Sequence, residues 1–226
     1  MIRDLCGARA PLLALLTLAA SGVALAQDAP AARSTPAAPA QATAAPKTAK
    51  VGEAAPDFTL KDTEGKEHKL SELSKAGKIV VLEWFNPDCP VSAGYHSKDN
   101  DVMLGLAGEL RGKDVVWLAI NSGAEGKQGS GQERNAKAAK DFALDYPVLL
   151  DGNGAVGRLY GAKTTPHMFV IGKDGKLAYA GAIDDGKPGA PGKTNYVREA
   201  VTALLAGKEV AVKETHAFGC GVKYAD

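Results

Sequence analysis

Lys78-Ile79-Val80-Val81-Leu82-Glu83-Trp84-Phe85-Asn86-Pro87-Asp88-Cys89-Pro90-Val91-Ser92 runs from β-formers through a proline-containing turn to a cysteine, a second proline and a helix-like segment. The apolar run 79–85 predicts a strand buried on both faces, as in a parallel sheet. The segment from Pro90 onward predicts a helix reaching about residue 110, with Gly94, Gly105 and Gly108 as its weak points. Cys89 therefore stands at the start of a helix, off the end of a buried strand. Free backbone N–H groups point outward there, and the helix dipole favours negative charge. A thiol so placed ionises more easily, and the thiolate is the reactive form.

Working outward, residues 55–60 predict an extended lead-in, 62–66 a turn, 67–70 a returning segment and 71–74 a short helical turn. Residues 114–120 predict the next buried strand, 123–131 a Gly-rich loop and 132–144 an amphipathic helix with Ala136, Ala139, Phe142 and Ala143 at helical spacing. Then come a strand at 147–150 and a short helix at 154–160. Residues 167–171 and 177–182 form a hairpin around Gly172-Lys173-Asp174-Gly175-Lys176, and 195–205 a last amphipathic helix. This order favours a mixed α/β sandwich.

The 226-residue chain divides unevenly. Residues 1–26 read as an export signal: Arg3 and Arg9 supply the positive end, 10–20 are apolar, and Ala24-Leu25-Ala26 is a cleavage site that predicts a mature start at Gln27. The competing reading is a membrane anchor, but the apolar run from Ala10 to Ala26 is shorter than the roughly 20 residues a span needs. After cleavage no stable membrane insertion is expected. Residues 27–50 are rich in Ala and Pro, with no aromatic and no large aliphatic side chain, and read as a disordered linker. Residues 51–206 suit one domain, and 207–226 form a C-terminal tail carrying Cys220. Beyond the signal, 25 basic and 25 acidic residues balance, which argues against nucleic-acid binding. Cys6 leaves with the signal, so Cys89 and Cys220 remain as a pair in an oxidising compartment.

Four features in order resemble the redoxin branch of the thioredoxin superfamily, the branch of alkyl hydroperoxide reductases and thiol-specific antioxidants. They are Ala55-Pro56-Asp57-Phe58-Thr59-Leu60 with Gly65, the strand into Asp88-Cys89-Pro90, Thr164-Thr165-Pro166 before an apolar strand, and Val170-Ile171-Gly172-Lys173-Asp174-Gly175. The resemblance spans residues 51–206 and implies a thioredoxin-like sandwich, a mixed central β-sheet flanked by helices. It implies that Pro166 is cis and faces the reactive cysteine, with the Thr165 backbone turned to substrate. Pro90 and Ser92 would line the same place. It also places an acid six residues before the cysteine, here Glu83. A carboxylate on the apolar face of Ile79, Val81 and Phe85 is costly unless neutralised or used. Two readings stay open for Glu83: a raised pKa serving proton relay, or a lysine partner at the sheet end.

The departures from the family are informative. The motif is Cys89-Pro90-Val91-Ser92, so no dithiol cycle exists within it, although the Ser92 hydroxyl can donate to a thiolate. Asn86 and Leu82 stand where a peroxiredoxin has its Thr or Ser and its proline. Cys220, in Phe218-Gly219-Cys220-Gly221-Val222-Lys223-Tyr224, resembles the tail of a little-characterised redoxin group. A mobile tail would let Cys220 resolve a sulfenate or mixed disulfide on Cys89. The alternative is a static disulfide, worth roughly 5 kcal/mol by loop closure.

The histidines are weaker signals. His167 comes after Pro166 and should lie near Cys89. His96 lies two helical turns past it on the same side, while His68, His216 and Lys163 read as solvated. The expected function is an exported, periplasmic or secreted thiol oxidoreductase with antioxidant or disulfide-exchange activity. Cys89 is its nucleophile and Cys220 its resolving residue, with no metal or organic cofactor. Its partners would be a thiol or disulfide protein or a small peroxide, and an external thiol reductant. The competing class is a non-catalytic binding or assembly protein, such as a copper or envelope-protein chaperone. The copper-delivering relatives use a second cysteine where this chain has Phe85, leaving Cys89, His96 and His167 as an improvised soft-metal set.

Overall fold

A computed structural model of the chain describes residues 48–97, 100, 102–187 and 190–226. The proposed signal and nearly all of the proposed linker lie outside the described residues. Residues 48–50, at the end of the expected linker, are an exception: the Ala49 N–H donates to Leu159 O at 2.9 Å, and Ala49 packs on the core.

β1 (Thr59–Asp62) and β2 (Glu67–Lys69) pair antiparallel and lead into α1 (Leu70–Lys75). β3 (Ile79–Trp84) is buried along its whole length, as its unbroken apolar run predicts. Next come α2 (Pro90–Tyr95), α3 (Val102–Leu110), β4 (Val115–Asn121), α4 (Gln132–Asp141), β5 (Val148–Leu150) and α5 (Ala155–Tyr160). β6 (Thr164–Thr165), β7 (His167–Ile171), β8 (Leu177–Gly181), α6 (Tyr196–Leu205) and β9 (Cys220–Gly221) complete the described elements. The seven-stranded sheet has the order β2-β1-β5-β4-β3-β7-β8. β3–β4 and β4–β5 are parallel, and the remaining pairs are antiparallel, so the sheet is mixed. β6 and β9 form a separate two-stranded ladder.

Alternation along β3 feeds two cores. Ile79, Val81 and Phe85 pack with Leu106 and Leu110 of α3 and Val197, Ala200 and Val201 of α6. Val80, Leu82 and Trp84 pack with Phe58, Leu70, Val156 and Tyr160. Each such buried aliphatic side chain contributes about 1.5–3 kcal/mol. Helices therefore cover both faces of a mixed sheet, the thioredoxin-like α/β arrangement expected. Among the described residues no helix is long and apolar enough to cross a membrane.

Two helix boundaries differ from expectation. The single helix expected over 90–110 is two. A continuing helix would give Ser92 O to the main-chain N–H of His96, but the His96 side chain takes it, with Nδ1 at 2.7 Å, and the His96 N–H turns to Ala93 O. The turn tightens and the helix ends at Tyr95. The helix expected to reach Leu144 stops at Asp141. Ala143 takes φ +52°, and the Leu144 N–H reaches back to Ala139 O at 2.8 Å, a left-handed helix stop without glycine.

Candidate active site

Cys89 caps α2. Its φ and ψ are extended (−81°, 118°), Pro90 occupies the first helical position where no N–H is needed, and the Ser92 N–H donates to Cys89 Sγ at 3.4 Å. The expected help from the Ser92 hydroxyl is replaced by help from its backbone; that hydroxyl instead accepts from the Asn86 N–H at 3.5 Å. The turn before Cys89 is clasped by Asn86. Its Oδ1 accepts from the Asp88 N–H, and its Nδ2 donates to Gln128 O in the Gly-rich loop. Asn86 thus holds the loop against the turn, with both amide atoms engaged there. Arg134 binds Asp88 Oδ1 through Nε and Nη2.

The Thr165–Pro166 peptide bond is cis, as the family resemblance implies, and Thr165 O accepts from the Cys89 thiol at 3.1 Å. The register partner of Thr165 in the antiparallel β6–β9 ladder is Cys220. The tail cysteine is therefore seated beside the helix-start cysteine, near enough that each thiol bears on the other's ionisation. They stand unbonded. Cys89 is fully buried, while Cys220 is partly exposed.

The electrostatics separate the two sulfurs. Burial opposes charge on Cys89. The Cys220 thiol, the Ser92 N–H, the Thr165 side chain and the Cys220 N–H outweigh it and hold Cys89 below the usual thiol range. For Cys220 the direction is reversed. Burial and the neighbouring Cys89 sulfur push it up, against smaller opposing effects of the Val91 N–H and Lys223. Cys89 is thus the more acidic of the two thiols, and the Cys220 thiol favours its charged form.

The tail is docked along the domain rather than free of it, contrary to the expectation drawn from its glycines. Val222 N–H donates to Lys163 O (3.0 Å), Ala124 N–H to Lys223 O (2.8 Å), Tyr224 OH to Ala162 O (2.9 Å) and Arg158 Nη2 to Ala225 O (2.7 Å). The Arg158 guanidinium also stacks on the Tyr224 ring at 4.6 Å, and Lys127 Nζ meets Asp226 at 3.2 Å. Gly219 has φ +150°, and a Cβ there would sit 2.7 Å from the Thr165 carbonyl carbon and 3.2 Å from Pro166 N. The glycine that read as flexibility is a close approach of two backbones.

Glu83 shares its face of β3 with Ile79, Val81 and Phe85, but its partner is not a lysine. Trp117 Nε1 and Tyr146 OH donate to Oε2 at 3.1 and 3.3 Å, and His96 Nε2 lies 3.0 Å from Oε1. That last contact is an ion pair out of line with the ring N–H, so Oε1 receives no aligned hydrogen bond. Both side chains are wholly buried. Burial opposes charge on His96, yet the Glu83 carboxylate and Ser92 O prevail and hold it above the usual histidine range. His96 therefore neutralises the buried acid rather than facing Cys89. Its value was hidden in the sequence because the i+7 spacing assumes a helix that the side chain itself ends.

The other histidines serve elsewhere. His167 accepts from the Lys163 N–H at 3.4 Å and packs on Phe169. Burial first, then Lys163 and His216, push its pKa down to about 4, so it is neutral at neutral pH and supplies no charge to Cys89. His68 is not a surface residue: it pairs with Asp62 at 2.7 Å, both largely covered. Lys163 and His216 are exposed, as expected. Cys89, His96 and His167 are not brought together, and among the described residues no group of three or more His, Cys, Asp or Glu is placed to hold a metal ion.

Known proteins share this fold and much of this sequence. The chain is 34% identical over 127 residues to the thiol-disulfide oxidoreductase ResA of Geobacillus thermodenitrificans, 56% of this chain and 66% of that one. It is 28% identical over 131 residues to ResA of Bacillus subtilis, covering 56% and 64%. The match thus spans just under two thirds of the relatives' length. Among solved structures it resembles an uncharacterized conserved protein from Geobacillus kaustophilus (TM-score 0.71, 28% identity, 78% and 93% covered). A hypothetical protein from Sinorhizobium meliloti is similar at TM-score 0.70 and 27% identity, covering 79% and 97%. A putative thiol:disulfide interchange protein, DsbE, from Chlorobium tepidum shares the fold at TM-score 0.51 and 23% identity, with 71% and 98% covered. The AhpC/TSA family model matches residues 51–180, more than half of the chain, and takes in the whole Cys89 turn and the cis-proline strand. The chain belongs to the AhpC/TSA family.

Proposed function

We propose that this protein is an exported thiol–disulfide oxidoreductase in which Cys89 attacks and Cys220 resolves. The observation that carries the reading is the β6–β9 ladder, which seats Cys220 opposite Thr165, the residue whose carbonyl accepts from the Cys89 thiol; the two sulfurs are also shifted in opposite directions, Cys89 below and Cys220 above the ordinary thiol range. In the first step the Cys89 thiolate attacks one sulfur of a substrate disulfide. A mixed disulfide forms, and the other substrate sulfur leaves as a thiolate that takes up a proton. Cys89 is then neutral, so the charge that raised Cys220 is gone and its ionisation becomes easier. Lys223 and the Val91 N–H favour its thiolate. Cys220 loses its proton, attacks Cys89 Sγ and expels the second substrate thiolate. Two electrons and two protons have passed from the protein to the substrate, and an external thiol reductant resets the pair. No metal or organic cofactor enters the cycle.

Disulfide exchange is favoured over peroxide reduction because Asn86, at the position of the peroxiredoxin hydroxyl, spends both amide atoms on the loop and turn. Thr165 and Pro166, with Pro90 and Ser92, line the approach to Cys89. Glu83 and His96 form the buried charge pair beneath the start of α2. The leader at residues 1–26 supports export to the periplasm, and the Ala/Pro-rich linker supports a tethered domain.

The test is to treat reduced protein with a small disulfide and map its cysteines by mass spectrometry. A Cys89–Cys220 bond should appear and vanish with a thiol reductant. Cys220→Ser should stop at the mixed disulfide on Cys89, and Cys89→Ser should do nothing. A Cys89 that stays a free thiol throughout would end the proposal.

A further inference from the structure

Three facts about the tail go beyond a resolving role. β9 is the strand that β6 pairs with, so the Thr164–Thr165 edge beside Cys89 is taken by the protein's own extended Gly-Cys-Gly segment. Cys89 is wholly buried under this arrangement. Gly219 lies so close to Thr165 that a side chain is excluded, whereas the far end of the tail is held by single hydrogen bonds, one cation–π contact and one exposed ion pair. The fit is tight at the site and light at the end, as suits a segment that lifts and returns.

We propose that residues 219–226 are a specificity-determining strap: they occupy the β6 edge as an internal cysteine-bearing peptide, and a polypeptide disulfide must displace them there to reach Cys89. The inference rests on the two-cysteine reading of the proposed function. An extended polypeptide substrate pairs with an open strand edge through its own backbone, which is the interaction β9 now makes. Its apparent affinity is reduced by the fraction of time the strap is open. A small disulfide needs only the sulfur uncovered, and gains less from an open edge. After Cys89 has formed its mixed disulfide with one substrate sulfur and released the other as a thiol, the strap reoccupies the edge. Cys220 then gives its proton to solvent, attacks Cys89 Sγ and expels the remaining substrate sulfur, which is reprotonated. Strap closure, resolution and product release become one event. The dithiol is oxidised and the substrate disulfide reduced by the same two electrons.

The double variant Arg158→Ala/Tyr224→Ala loosens the far end without touching Cys89, Cys220 or Thr165. The rate constant for attack on a disulfide-bearing peptide should rise about tenfold, and that for hydroxyethyl disulfide less than about threefold. Equal rises would make the strap a mere cover and overturn the proposal; so would no rise. A second measurement uses the unaltered reduced protein and an extended peptide with serine in place of cysteine. The Val222 and Ala124 amides, bonded to Lys163 O and Lys223 O, should lose hydrogen-exchange protection as peptide is added. Protection retained at the highest peptide concentration would also overturn it. The two-cysteine reading fails separately, if unaltered protein forms no Cys89–Cys220 bond with either disulfide.

Discussion

Gly219→Ala is the substitution in which the structure makes its sharpest demand. The new Cβ would stand 2.7 Å from the Thr165 carbonyl carbon, where carbon atoms rest at about 3.5–4.0 Å. The obstacle is backbone on the β6 side, whose Thr165 carbonyl also accepts from the Cys89 thiol, so β9 must retreat by about 1 Å. Alanine also resists the φ of +150°. Cys220 is the next residue and moves with it. A disulfide of about 2.05 Å needs its sulfurs and Cβ atoms in a narrow geometry, and a 1 Å misplacement of a reacting group can cost about a hundredfold. Resolution of the mixed disulfide should slow between about tenfold and a hundredfold, while the first attack by Cys89 is not slowed. Rapid mixing with a small disulfide, acid quench and mass spectrometry would read both steps, and the mixed disulfide should accumulate. If Gly219→Ala closes the Cys89–Cys220 bond at the unaltered rate, Cys220 does not depend on its seat against Thr165, and the reasoning fails.

Ser92→Ala should leave the pH midpoint of Cys89 alkylation within about 0.3 pH unit, because the bond to sulfur comes from the backbone; a rise of about one unit would return the hydroxyl to the role expected from sequence. Cys220→Ala should move that midpoint upward, because it removes the side chain that most favours the Cys89 thiolate; an unmoved midpoint would refute that influence. The folded Cys89 thiol ionises at lower pH than the unfolded one. The unfolded state thus binds more protons between the two midpoints, and stability from Cys89 rises with pH there and is lost on acidification, as urea unfolding of unaltered protein and Cys220→Ala at graded pH should read. Glu83→Leu leaves the His96 charge buried without its partner and should cost about 3–5 kcal/mol in guanidinium unfolding. Glu83→Leu/His96→Phe should cost clearly less than the sum of the single changes, and strict additivity would show that the pair is not coupled.

The strand–turn–Cys89–Pro90 segment, the two-sided burial of β3, the hairpin and the α/β class were legible in the sequence because each rests on local rules. A continuous apolar run, a proline at the first helical position and a Gly-Lys-Asp-Gly turn act within a few residues of themselves. The cis-proline and the acid on β3 were legible as positions in a family pattern. What the acid does was not: Glu83 meets His96, Trp117 and Tyr146, which reach it from three other segments, and sequence spacing does not measure distance across a core.

The helix break at Tyr95 and the seat of Cys220 were decided by tertiary structure alone. In the first case a side chain, His96, outcompetes its own main chain for Ser92 O once Glu83 waits in the core to hold its other nitrogen. In the second, glycines that signal freedom in an isolated tail become the smallest residues able to lie against Thr165, and Tyr224 and Arg158 tie down the far end. Tyr224, the one aromatic residue within 219–226, was the available sign that the tail docks. Sequence determined which thiol stands at a helix start, since that follows from local backbone chemistry. Only the folded chain decided that a second thiol, 131 positions later by numbering from Cys89 to Cys220, stands against it, because that closeness is the sum of packing choices made along the whole sheet.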